Sequence, residues 1–216
     1  MSAGRKKENL KRARSYDASG RQDRARQQHA VALDAARALF LAHGYTATTV
    51  ESIADGAGVS AATIYKSYGG KAGLVRELCR RALEGAGPVP AEERSNALRS
   101  GADPRQVIDG WARLTGEVSP SVSPLMLLLR TAAQADPEAA ALYDEIDDAR
   151  LARMADNARF LARSGHLRAG VTERDARDVL WLCSSPELYD LLIVRRRWSR
   201  ARFGRFVAET MASALL

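Results

Sequence analysis

A chain of 216 residues, 46% of them apolar, can bury a sizeable core and is not an intrinsically disordered polymer. Its oiliest run, Leu125 to Leu129, is far shorter than the ~20 residues that span a bilayer, and its charged start has no apolar stretch behind it to act as a secretory signal. A cytoplasmic protein without a membrane partner is expected. The formal net charge is +7, concentrated at one end: residues 1–28 hold nine basic residues against three acids.

That basic segment, residues 1–25, is polar and is expected to form a flexible tail. Charge alone leaves open whether it is a solubilising leader or an arm that neutralises phosphates. Val31, Ala35, Ala36, Leu39 and Phe40 then share one face of a first helix, from about Arg26 to His43, stopped by Gly44. Thr48 and Glu51 have capping-box spacing, so a second helix is predicted to start at Thr49. Its apolar face, Val50, Ile53, Ala54 and Ala57, lasts about two turns. Gly58 follows as a turn residue and Val59 as a small hydrophobic plug. Ser60 caps a third helix, Ala61 to Ser67, held inward by Ile64. Helices this short are not stable alone. They need the first helix, and another beginning at Lys71, as a platform, which is the plan of a helix-turn-helix. A generic helical hairpin would reproduce part of this pattern. Within the helix after Lys71, Gly73 is expected to cost about 1 kcal/mol relative to Ala.

Gly85 to Gly101, with Gly-Pro-Val-Pro inside it, reads as a hinge between a module at 26–86 and a larger domain at 87–216. A short helix is predicted near Pro90, and Asp136-Pro137 opens a long one that ends at Gly165. Another helical stretch, Thr172 to Arg197, is interrupted at Pro186, where Ser184 and Glu187 have capping spacing. The chain ends in a stripe of Phe203, Phe206, Val207, Thr210, Met211, Ala214 and Leu215. Strand signals are nearly absent. The expected fold is all-α, a three-helix helix-turn-helix followed by a helical domain, with about nine or ten helices in total.

The stretch Thr63-Ile64-Tyr65-Lys66-Ser67-Tyr68-Gly69-Gly70-Lys71-Ala72-Gly73-Leu74 resembles the signature of TetR-type (tetracycline-repressor-like) regulators. Gly44-Tyr45, Thr48-Thr49-Val50 and Ile53-Ala54 match that family's preceding helices. The resemblance covers about Arg26 to Gly85. It implies that Thr49 offers a hydroxyl and an N–H to a phosphate, and that Ala61, Ala62 and Thr63 face base edges or thymine methyls. It also implies that Tyr65 and Lys66 reach backbone or base, and that Lys71 meets phosphate. Ser67 stands where the family usually has His or Tyr, which shortens or removes one phosphate contact, and Gly69-Gly70 replaces a better cap. With no Arg, Gln or Asn on this helix, base reading is poor, and extra contacts from the basic tail are expected.

The same resemblance implies a homodimer on double-stranded operator DNA, paired through its last helices, and a small-molecule effector held between the middle helices. Trp111, Met126, Arg130, Tyr143 and Trp181 are the candidate pocket residues; plain core packing is the commoner role for such side chains. The expected function is a transcriptional repressor released from its operator by that effector. A rival is a DNA-binding dimer whose second domain is only a scaffold. An enzyme has little support: His29, His43 and His166 are scattered, and the acids at Asp144, Glu145, Asp147 and Asp148 suit a solvated helix surface. Cys79 and Cys183 read as separate, buried, reduced thiols, and no metal site or cofactor is expected.

Overall fold

The computed structural model describes the backbone of residues 3–101 and 103–216, and side chains for Asp23 and from Arg26 onward except residue 102. Ten α-helices make up the described chain: α1 (Ala3–Ala47), α2 (Val50–Ala57), α3 (Ala61–Tyr68), α4 (Lys71–Glu84), α5 (Ala91–Leu98), α6 (Pro104–Ala132), α7 (Pro137–Arg163), α8 (Glu173–Cys183), α9 (Pro186–Tyr189) and α10 (Arg200–Leu215). A π-helical turn, Asp190–Arg195, continues α9. No strand occurs among the described residues, so the fold is all-α. None of these helices is long and apolar enough to cross a membrane.

The first helix departs from expectation at its start. Instead of a flexible tail, the basic segment continues α1 back to Ala3. Its many Lys, Arg, Gln and Ala residues are helix formers, and no proline interrupts them. The proposed tail contacts to DNA fall mainly on side chains outside the described residues. At the other end α1 breaks at Gly44, whose φ of 83° leaves the helical region, as the sequence suggested.

Two caps lie one residue beyond their predicted places. Thr49, not Thr48, caps α2, exchanging side-chain bonds with Ser52 in a capping box. Thr48 is buried and donates its hydroxyl to the Gly44 carbonyl at 2.8 Å. Both pairs are three apart, so spacing could not choose between them; burial does. Likewise Ser185, not Ser184, caps α9, while Ser184 bonds the Trp181 carbonyl at the end of α8. Ser60 caps α3 as expected, and Asp136 caps α7 ahead of Pro137.

Two apolar cores fill the molecule, and α6 runs through both. One joins Leu33, Phe40, Tyr45, Ile53, Ile64, Leu74 and Leu78 of α1–α4 to Leu125 and Leu129 of α6 and Leu142 of α7. The other packs Val107, Ile108 and Trp111 against Leu161, Leu180, Phe203, Val207 and Met211. The Gly/Pro stretch after α4 is therefore a linker along the chain but not a seam in the packing. The terminal stripe is narrower than predicted: Phe203, Val207, Met211 and Leu215 are buried, whereas Phe206 is exposed.

One group in the first core is unsatisfied. Tyr45 is 1% exposed, yet its hydroxyl has no hydrogen-bond partner among the described residues. Burial, with Glu138 and Asp136 nearby, pushes its pKa above the ordinary phenol value. Tyr45→Phe is expected to leave stability unchanged or raise it by about 1 kcal/mol, because it removes a desolvated hydroxyl and keeps the ring packed. A lower melting temperature for that variant would mean the hydroxyl has a partner after all.

Candidate DNA-binding surface and effector cavity

The turn between α3 and α4 is built on Gly69 and Gly70, with φ of 76° and 131°, values that let two residues reverse the chain without a side-chain clash. Ile64 anchors α3 to the core, and the opposite face presents Ala62, Tyr65 and Lys66, all exposed, with no acid on the helix. Ser67 is exposed beside them. Thr49 is exposed at the start of α2; its Oγ1 accepts the Ser52 N–H at 3.0 Å, which leaves the hydroxyl hydrogen free to donate outward. Ala61 and Thr63 are only half-exposed. Ala61 leans on the core, and the Thr63 hydroxyl lies 2.8 Å from that of Ser60. Lys71 faces inward more than the resemblance implied. Its ammonium donates to the Tyr45 carbonyl at 3.1 Å and sits 4.4 Å from the centre of the Tyr45 ring. The described outer face of the motif is thus small, neutral to basic and rich in donors.

A cavity of about 500 Å³ lies between α4, α5, α6, α7 and α8. That size suits a drug-sized molecule. Trp111 and Met126, two of the five pocket candidates, line it. The other three do not. Arg130 is exposed and pairs with Glu187 on α9, the carboxylate partner that a cation beside a leucine run requires. Tyr143 packs on the first core, and Trp181 stacks under the Arg150 guanidinium at 4.7 Å. The walls are mostly apolar: Leu83, Leu114, Val118, Val122, Ile146 and Leu180 among them. Around this lining stand Arg76, Arg80, Arg150, Arg153 and Asn157.

The family model for bacterial regulatory proteins of the tetR family matches residues 32–78, the span from α1 through most of α4. Residues 32–78 thus resemble a tetR-family N-terminal module. Solved structures resemble nearly the whole chain. NalD, the secondary repressor of the MexAB-OprM multidrug efflux pump in Pseudomonas aeruginosa, aligns with a TM-score of 0.72 at 22% identity, covering 90% of this chain and 98% of its own. SmeT, solved in complex with triclosan, gives 0.69 at 19% identity, covering 88% and 91%. The fatty acid degradation regulator FadR from Bacillus halodurans gives 0.63 at 17%, covering 86% and 94%. At such identities the likeness establishes a shared fold. No curated protein matches the chain.

Two features of this chain are not marked by local sequence patterns in the same degree. His29, on α1, bonds the Tyr68 hydroxyl through Nδ1 at 3.0 Å and lies 3.3 Å from Ser67 Oγ through Nε2, tying α1 to the end of α3. No local signal marks a contact between residues so far apart in sequence. The cavity arginines were more legible. Arg150, Arg153 and Asn157 follow Ile146 at helical spacing, which places polar groups on an otherwise apolar face of α7.

Both thiols are buried, as expected, and burial pushes Cys79 up to about 12 and Cys183 up to about 11. At pH 8 neither is expected to react with iodoacetamide at a free-thiol rate until the protein unfolds. Fast alkylation of the native protein would show that one of them opens to solvent.

Proposed function

We propose that this protein is a homodimeric transcriptional repressor that leaves its operator when a small molecule fills the cavity. The observation that carries the proposal is the position of α4. Its first turn abuts the recognition helix α3 across Gly69 and Gly70, and its later turns supply Arg76, Cys79, Arg80 and Leu83 to the cavity wall. An occupant that shifts α4 therefore shifts α3. In a dimer the two copies of α3 must match successive major grooves about 34–36 Å apart, so a small change of their spacing is enough to weaken binding. A preference of a few kcal/mol for the shifted conformer accomplishes release.

Exposed apolar side chains on the last elements, Leu182 on α8, Leu191 and Val194 in the π turn, and Phe206 on α10, support pairing with a second copy. The likeness to NalD, a repressor, and to SmeT, solved with triclosan, supports repression and an apolar effector. Selection of bound duplexes from a random pool, followed by a screen for molecules that release the selected duplex, tests the proposal. A dimer with no salt-sensitive affinity for any duplex would end the DNA-binding reading. A selected duplex that no cavity-filling molecule releases would favour the scaffold alternative.

A further inference from the structure

We infer that the cavity takes an amphipathic organic anion, with its apolar body on the α6 wall and its negatively charged head at Arg153 and Asn157 of α7. The inference rests on the cavity being the effector site. Leu114, Val118 and Met126 with Trp111 provide a continuous apolar wall for the body. The polar groups differ in how fully they are engaged. Arg150 has four of its five N–H donors engaged: Nε and one terminal nitrogen bind Asp147, and the other binds the Trp181 carbonyl and Ser184 Oγ. It pins α7 to α8. Arg76 is chelated by Glu145, and Arg80 by Glu77 and Glu84, all with a quarter or more of their side-chain surface exposed.

Arg153 is different. Its side chain is 23% exposed, and its partners come from α5: Asn96 Oδ1 at 2.6 Å and Glu92, whose own side chain is 66% exposed. Burial pulls its pKa below the ordinary guanidinium value. A half-desolvated cation is thus paired with a carboxylate that leans in from solvent, a weak arrangement. An anionic head exchanging for Glu92 would keep Arg153 paired in a drier setting and return Glu92 to water. One turn further on, Asn157 is 2% exposed, and its carboxamide oxygen already accepts two bonds from Arg99 at 2.9 and 3.0 Å. What Asn157 can offer an occupant is its N–H donors. A cationic head would find only Glu92 and Glu145 in the lining, and engaging either strands an arginine.

The test uses the full-length protein and three probes with one body and different heads: decanoate, decan-1-ol and decylammonium. Each is titrated below its aggregation threshold and followed by tryptophan fluorescence and melting temperature. Decanoate is expected to bind at least about tenfold more tightly than either of the others. Arg153→Gln should erase that preference, lowering decanoate affinity to the level of decan-1-ol measured in the same variant. Glu92→Gln, at the exposed end of the pair and with no side chain of α7 altered, should strengthen decanoate binding. Equal affinity for decanoate and decan-1-ol, a preference for decylammonium, or an undiminished decanoate preference in Arg153→Gln would each overturn the anion assignment while leaving the cavity as an effector site. If none of the three binds, the effector-site reading falls and takes this one with it.

Discussion

Replacing Gly73 by alanine is expected to destabilise the protein by about 3 kcal/mol, lowering its melting temperature by roughly 5–10 °C, and to weaken DNA binding at working temperature. Helix propensity alone gives the opposite sign, a gain of about 1 kcal/mol, because Gly73 lies in the first turn of α4. The structure reverses the expectation. A methyl group at Gly73 would overlap the Tyr68 carbonyl oxygen and lie 2.7 Å from its carbon. Both are backbone atoms at the end of α3, so no side-chain rotation relieves the clash. Either α4 or α3 must move, and α3 carries the surface proposed to meet DNA. A thermal melt of the variant decides the sign, and a raised melting temperature would mean that α3 and α4 are less tightly abutted than described.

Ala62→Glu is expected to leave stability within about 0.5 kcal/mol, since the side chain is exposed on α3. Duplex affinity should nevertheless fall by about 100-fold or more. A longer side chain holds the helix away from the groove floor, its carboxylate faces phosphates, and a dimer suffers the penalty in both half-sites; a lost base-edge contact alone costs about 1–3 kcal/mol per site. Normal affinity in a variant of unchanged melting temperature would place the DNA-binding surface elsewhere than on the Ala62, Tyr65 and Lys66 face.

The parts of this architecture that were legible in the sequence depend on local chemistry. Helical spacing at Val50, Ile53 and Ala54, the Ser60 cap and Asp136-Pro137 at a helix start declare themselves within a few residues, and the structure has them. The errors arose where two local solutions were equivalent and tertiary burial chose. Thr48 and Thr49 could each cap α2, and only the core contact of Thr48 decides between them. Gly73 looked like a propensity defect because its constraint comes from another helix. Of the cavity candidates, Trp111 and Met126 were placed by resemblance and apolar character, and they line the space. Arg130, expected in the pocket, instead pairs with Glu187, which lies 57 residues away, and no pattern announces the pair. Arg153 shares the face of Ile146 by helical spacing, but on a helix this rich in charge the spacing alone does not say that the face is covered.

The sharing of one core by α1–α4 and the near ends of α6 and α7 bears on how such proteins can be recombined. A fusion that joins α1–α4 to a foreign domain at the Gly-Pro linker would strip Leu33, Phe40 and Leu78 of the surfaces contributed by Leu125, Leu129 and Leu142. The exposed oil would make the hybrid aggregate. A workable graft carries those three leucines with α1–α4, which means cutting within two helices rather than at the loop that looks like the natural place.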